Sequence, residues 1–475
     1  MSNIINNSLV WLRRDLRLYD HNALFQALKK SKSVYCCFIF DIKILEKLSN
    51  KNDRRIEFIW HALKEIKSDL NKLGSDLIVE IGDPYFLIPS LIQKYKCSAL
   101  FLNKDYEKYA VDRDKKISDE LQKNNIQTYK YKDQVLFEEK EILTKNNSPY
   151  TVFTPYKNNH LKKIFDEGIT QFDCDSYKIN LAKFKYKPLQ TLKEIGFEKS
   201  NICSMSLPIG TQGGVTLIED FKKRIKNYGR NRNFPGIKGV SYLSVHNRFG
   251  TVSIRHLAKI ALEHNSEGST SWLNELIWRD FYFQILSNFP HIEDGKTFKL
   301  KYNNLAFEND EKKFIAWSNG QTGFPIVDAG MRQLNETGFM HNRLRMIIAC
   351  FLVKDLLIDW RWGEKYFADH LIDFDLSANN GGWQWAASTG CDAQPYFRIF
   401  NPLLQSEKFD PDGNFIKKYV PELGLLNKKE IHQPSVFFNK SPNNFPIKLG
   451  IDYPFPIVNH AEQKTKIMAL FKNAT

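Results

Sequence analysis

The sequence predicts a parallel, doubly wound α/β domain at the N-terminus followed by a larger all-α domain. Two observations carry that fold class. Over the first third, short apolar runs alternate with helical patterns, as strands and crossover helices do in a parallel sheet. From about residue 213 the apolar spacing is mostly helical and broken only by loops. Between these parts, residues 132–205 carry no sustained periodicity. Turns at "TKNNSPY" and "SLPIG" mark that stretch as an interdomain connector. The expected division is therefore 1–131, 132–205 and 206–475.

The elements follow in order. "LVWL" (9–12), "VYCCFIF" (34–40), "DLIVEI" (76–81) and "ALFLN" (99–103) are unbroken apolar runs of strand length, as expected of strands buried on both faces. Between the second and third, Ile56, Ile59, Trp60, Leu63, Ile66 and Leu70 recur at helical spacing. No GxGxxG follows the first strand, so the usual dinucleotide fingerprint is absent. In the second half, "SWLNELIWRDF" (271–281) is helical, and "LIDFDLSANN" (371–380) puts a helix start at Ser377. Loops fall at "NRNFPGIKG" (231–239) and "NNLAFEND" (303–310).

At 475 residues the chain exceeds one ordinary core, and 42% hydrophobic with 26% charged residues fits a soluble globular protein. A net charge of +14 favours a polyanionic partner, with nucleic acid ahead of an anionic membrane surface; Asn/Lys-rich composition bias is the alternative. Seven cysteines, at 36, 37, 97, 174, 203, 350 and 391, form no CxxC pair and no Cys/His cluster of zinc spacing. Reduced thiols in the cytoplasm and no metal site are the expectation. The N-terminus lacks a signal-peptide core, since Arg13 and Arg14 interrupt it, and the longest apolar stretch considered, "IIACFLV" (347–353), cannot span a bilayer.

Four segments are candidates for chemistry. On the helix 271–281, Glu275, Trp278 and Arg279 share one side, where they could bind and stack on a polar ring or simply form a surface ion pair. "MHNRLRM" (340–346) puts Asn342, Arg345 and Met346 on one stripe, with Arg343 turned aside. "KGVSYLSVHNRFG" (238–250) offers Ser241, Ser244 and backbone amides near a turn, a possible phosphate cradle. In "ANNGGWQWAAS" (378–388), two Asn and two Gly are poor helix formers, which points to a fixed amide and close approach of something flat. Trp383 and Trp385 then project about 200° apart and cannot serve one surface.

Together these segments resemble the photolyase/cryptochrome family, most closely the class I cyclobutane pyrimidine dimer photolyases. The resemblance is carried by "WLRRDLRLYDHNAL", "WLNELIWRDF", "TGFPIVDAGMRQLNETGFMHNRLRM", "LVKDLLIDWRWGEKYF", "DLSANNGGWQWAASTGCDAQPYFRIFNP" and "YPFPIVNHAEQK". It implies a photolyase-like fold, with an antenna-chromophore domain over 1–131 and FAD, reduced in the active state, in the helical domain. By motif match, Tyr228, Val240, Ser241, Tyr242, Leu243, Ser244, Trp272, Glu275, Arg279, Asn342, Arg345, Asp373, Asp375 and Asn379 would surround FAD. Asn379 would face the flavin N5, and Arg345 paired with Asp373 would balance the flavin's charge. Glu275, Trp278, Asn342, Met346 and Trp385 would line the lesion pocket, and with Asn379 make up the catalytic set. Arg232, Glu275, Trp278, Asn342, Arg343 and Gln405 would contact UV-damaged DNA.

The implied reaction is light-driven opening of the cyclobutane ring by electron transfer from FAD, with the electron returned, by a monomeric cytoplasmic enzyme that uses no membrane. The alternative is a cryptochrome-like flavin photoreceptor without repair activity. Photolyases of (6-4) products carry His where this chain has Asn342 and Met346, and plant cryptochromes usually carry Asp at the place of Asn379. Both features favour dimer repair. Three departures stand out. Val240, Tyr242, Val245 and Asn247 replace commoner residues of the phosphate-side motif. The Asn–Glu pair that binds methenyltetrahydrofolate in some members falls at Tyr109–Ala110, so a deazaflavin or flavin antenna is expected instead. The electron-transfer tryptophans map to Trp383 and Trp360, but the third position is Phe307, with Trp362, Trp317 or Tyr302 as possible substitutes.

Overall fold

The computed structural model describes residues 4–205 and 207–474. Five strands, β1 (Ile5–Leu12), β2 (Ser31–Asp41), β3 (Leu77–Gly82), β4 (Ala99–Asn103) and β5 (Gln127–Tyr131), form one all-parallel sheet in the order β3-β2-β1-β4-β5. Register is set by pairs such as Ser8↔Val34, Ser8↔Ala99 and Cys36↔Leu77. Leu9, Val10, Trp11 and Leu12 are buried on both faces, which is why the run carries no polar alternation. The four expected strands are present. The fifth escapes the apolar pattern because it is a half-exposed edge, "QTYKY", where Tyr129 stacks on Phe101 at 4.7 Å.

The helix Arg54–Lys72 is capped by Asp53 and buries Ile56, Leu63, Ile66 and Leu70. Ile59 and Trp60, expected in the same stripe, are only half-buried; the Trp60 indole N–H donates to the Gln190 carbonyl at 2.7 Å. The expected connector contains a helix, Phe153–Glu167. Its buried residues are Phe153, Tyr156, His160 and Ile164, and the aromatic and imidazole members hide the period from an apolar count.

Packing divides the chain into two units, Met1–Lys226 with Ser241–Asn288, and Asn227–Val240 with Phe289–Thr475. This differs from the boundaries expected at 131 and 205. The helices Gly210–Lys222, Ile254–His264 and Glu267–Asn288 lie in the sheet-bearing unit. Three contacts show why for the first two helices. The Gln212 amide donates to Glu65 at 2.9 Å, and Arg255 binds Asp20 at 3.0 Å and Asp133 at 2.7 Å. Asp133 also accepts from Arg17 at 2.6 Å, so one buried carboxylate ties the strand end to a distant helix.

The second unit is helical around Pro325–Thr337, Asn342–Lys354, Trp360–His370 and Leu376–Ala386. Its core gathers Trp317, Leu344, Phe351, Trp360, Phe367 and Trp383. Among the described residues, no helix is long and apolar enough to cross a membrane.

Candidate active site

In the sheet-bearing unit, the helix Glu267–Asn288 carries Trp272, Glu275, Trp278 and Arg279. Trp272 is buried edge-on to Phe221 at 4.8 Å. The Trp278 indole lies flat on Phe153, with ring centroids 3.6 Å apart and 7° between planes, so its orientation is fixed from one side. Glu275 is half-buried. Arg279 sits over the Phe283 ring at 4.6 Å and donates to the Gln134 carbonyl, contacts that tie this guanidinium to its own unit. The expected phosphate turn begins a short helix at Ser244, and Tyr242 before it holds φ +60°. That left-handed backbone is rare for a bulky residue.

In the helical unit, Arg345 donates to both oxygens of Asp373 at 2.8 and 3.0 Å and to the Met340 carbonyl at 2.9 Å. Asp375 is the N-cap of Leu376–Ala386, accepting from the Ser377 amide at 3.2 Å. The helix therefore begins at Leu376, within a residue of the expected start. Asn379 is nearly buried, and its amide nitrogen donates to the Glu364 carbonyl at 3.0 Å and carboxylate at 3.3 Å. Its donor end is thus committed, which leaves the amide oxygen to accept from a ligand. Burial raises the Glu364 pKa, with the Asn379 bond opposing it.

A side chain at Gly382 would meet nothing within 4 Å, so the helix there offers bare backbone to a flat ligand. The left-over acceptor of Asn379 and the bare helix at Gly382 fit a flavin, whose reduced ring presents an N–H donor. Trp383 is buried while Trp385 is half-exposed, as the angular separation requires. Phe367 meets Trp383 at 4.9 Å and Trp317 meets it edge-on at 6.3 Å. Trp360 is buried in the same core and Phe307 packs against it.

Asn342 opens the helix Asn342–Lys354 and is exposed, with Met346 half-buried one turn on. His341 caps this helix by accepting from the Arg343 amide at 3.2 Å. Burial, with Arg343, Arg345 and Arg232 adding to it, pushes the His341 imidazole down to about 4, so the cap is neutral at physiological pH. Arg343 lies over Phe409 at 4.3 Å and donates to the Asn233 side chain at 2.7 Å. Burial and then Arg232 lower its pKa, so two like charges face one another. Arg232 itself lies over the Tyr228 ring at 5.4 Å, and Gln405 is half-buried.

Comparison with known proteins decides what this arrangement belongs to. Residues 8–173 match the family described as DNA photolyase, and residues 272–473 match the FAD binding domain of DNA photolyase. A deoxyribodipyrimidine photo-lyase of Alkalihalophilus pseudofirmus is 37% identical over 481 residues, covering 99% of each chain. The chain belongs to the photolyase/cryptochrome family. Among solved structures, a class III photolyase of Agrobacterium tumefaciens is similar with a TM-score of 0.88 at 32% identity, covering 99% of this chain and 98% of that one. An archaeal photolyase of Sulfolobus tokodaii, crystallised with two FAD molecules, has a TM-score of 0.81 at 33% identity and covers 98% and 100%.

A cavity of about 670 Å³ lies in the sheet-bearing unit, lined by Lys43, Asp83, Tyr85, Phe86, Tyr109 and Arg113 among others. Lys43 lies two residues beyond β2 and Asp83 directly follows β3, so the cavity sits at the carboxyl edge of the parallel sheet, where α/β proteins place ligands. Tyr109 donates to Asp41 at 2.7 Å and Arg113 to the same oxygen at 3.2 Å.

Proposed function

We propose that the protein is a deoxyribodipyrimidine photo-lyase, a carbon–carbon lyase that opens cyclobutane pyrimidine dimers in UV-damaged DNA under light. The observation that carries this reading against a repair-less photoreceptor is the neutral amide of Asn379, locked by Glu364. Reduced FAD held by Asn379, Arg345 and the turn before Ser244 would supply light-driven electron transfer for the ring opening, with no net redox change. The chain does the rest. Trp278, held flat by Phe153, and the half-exposed Trp385 offer indole faces to the extracted dimer. Extraction of a damaged base costs less than that of a paired one, and photolyases as a group work on bases taken out of the stack. Glu275 accepts hydrogen bonds from the pyrimidine N–H groups, and the Asn342 amide donates to negative charge that develops on them. Arg345, its guanidinium fixed by Asp373, is the cation of this group that would face the flavin's negative charge, and Arg343 with Arg232 takes the DNA phosphates.

We assign the chain to class I on the pocket set Glu275, Trp278, Asn342, Met346 and Trp385. The 670 Å³ cavity we assign to a flavin or deazaflavin antenna, because Tyr109 and its Asp41 bond stand where a folate would need an amide and a carboxylate. For photoreduction we propose that the hole on Trp383 passes to Trp317, the indole it meets at 6.3 Å, since Phe307 resists oxidation. Trp317 in turn stacks on Phe314, which meets Trp362 at 5.2 Å.

The test is loss of thymine dimers from irradiated DNA under blue light with reduced FAD bound. Glu275→Ala and Asn342→Ala should retain flavin absorbance and repair poorly; undiminished repair in both would overturn the pocket assignment.

A further inference from the structure

Away from the flavin and antenna sites, one corner of the sheet-bearing unit brings together three side chains of metal-ligating type. Glu57 and His61 stand one turn apart on the helix Arg54–Lys72, with Oε1 and Nε2 3.8 Å apart. Cys203 lies on the 3-10 turn Ile202–Ser204, its Sγ 3.5 Å from His61 Nε2 and 3.9 Å from Glu57 Oε1. All three ligand atoms fall within 4.8 Å of one another. Zinc bound at about 2.0–2.3 Å by such ligands has tetrahedral edges of about 3.4 Å between N and O and about 3.6 Å to sulfur. The observed edges match those within half an ångström, before any metal draws them in.

The surroundings are built for this. The second oxygen of Glu57 accepts from the Ser200 amide at 2.6 Å and hydroxyl at 2.7 Å, which turns Oε1 toward His61 and Cys203. Such outer contacts orient metal-binding carboxylates. Arg54 donates to Asn201 at 2.6 Å and the Glu198 amide to the Lys51 carbonyl at 2.7 Å, so the Cys-bearing segment is tied on one side of Ser200 to the helix and on the other to the turn before it. Glu57 is buried, whereas His61 is half-exposed and Cys203 exposed, leaving an entry path and a fourth position for water.

We propose that Glu57, His61 and Cys203 form a Zn²⁺ site that staples the segment 198–204 to the helix Arg54–Lys72. Linear spacing hides it, because His61 and Cys203 are 142 residues apart.

The test uses the full-length flavoprotein, stripped with chelator and retitrated with Zn²⁺ by calorimetry and with Co²⁺ by absorption in the red, beyond oxidised flavin. One metal per chain and a tetrahedral cobalt–thiolate spectrum are expected. Cys203→Ser should abolish the spectrum and weaken Zn²⁺ binding by about 100-fold, and Glu57→Gln by about 10-fold, in the range seen when a zinc ligand or its support is lost. Cys391→Ser, with unchanged flavin absorbance as the folding check in every variant, should leave both readings as in the parent. Absence of stoichiometric binding, or a cobalt spectrum that survives in Cys203→Ser, would overturn the site.

Discussion

Arg343 is a cation held by a neutral amide and an aromatic ring, with Arg232 close enough to depress its pKa. Such a group gains most from an anion. Arg343→Ala should weaken DNA binding evenly across sequences and reduce the slope of log affinity against log salt by about 1, measured by titration at several salt concentrations. At Trp383 the argument concerns oxidation rather than charge. Trp317 is fully buried and meets Trp383 edge-on, so Trp317→Phe should slow FAD photoreduction by roughly tenfold or more, with repair by pre-reduced enzyme unchanged. Flash photolysis of both proteins decides it; equal photoreduction rates would return the route to Trp360.

Two elements depend on single positions. In the sheet-bearing unit, Arg17 and Arg255 converge on Asp133, all three buried. Burial alone would raise the Asp133 pKa, but the two guanidiniums overcome it and hold the carboxyl well below the usual range. A depressed acid contributes stability that is fully present above the unfolded value and lost as pH falls through the folded one. This contribution should therefore decline below about pH 4. Asp133→Asn leaves two buried cations short of a counter-charge and should cost about 3–5 kcal/mol in denaturant unfolding at pH 7. In the helical unit, a methyl at Gly363 would collide with the Trp383 ring and Leu352. Gly363→Ala should destabilise by about 1–3 kcal/mol in denaturant unfolding and perturb photoreduction.

At the scale of the molecule, the charge of +14 and the full-length likeness to photo-lyases agree on a polyanionic substrate. The fold is legible in the sequence where burial is two-sided, because β1 to β4 show unbroken apolar runs. It is illegible where burial uses polar or aromatic groups, as in β5 and in the helix Phe153–Glu167 with its buried Tyr156 and His160. The site behaves likewise. Asn379 stands out because amides and glycines are poor helix formers, and Arg345 with Asp373 through the motif they share with the family. Glu364 does not, since it acts only through the amide it binds 15 residues away, and His341 reads as one more polar residue until its burial is seen.

The bond between Asn379 and Glu364 bears on how such a protein could change its trade. An Asn379→Asp substitution would set a second carboxyl against the carbonyl and carboxylate of Glu364, with no amide left to donate. Two carboxylates so close cannot both ionise, so the pair would retain one proton at neutral pH, carry a single negative charge and keep one O–H donor. Infrared difference spectra of the variant should then show a protonated carboxylic acid that disappears with Glu364→Gln. A chain changed from amide to acid at this helix would gain a proton store without gaining a further charge. Position 364, which acts through the Asn379 side chain it holds, sets the terms of that change.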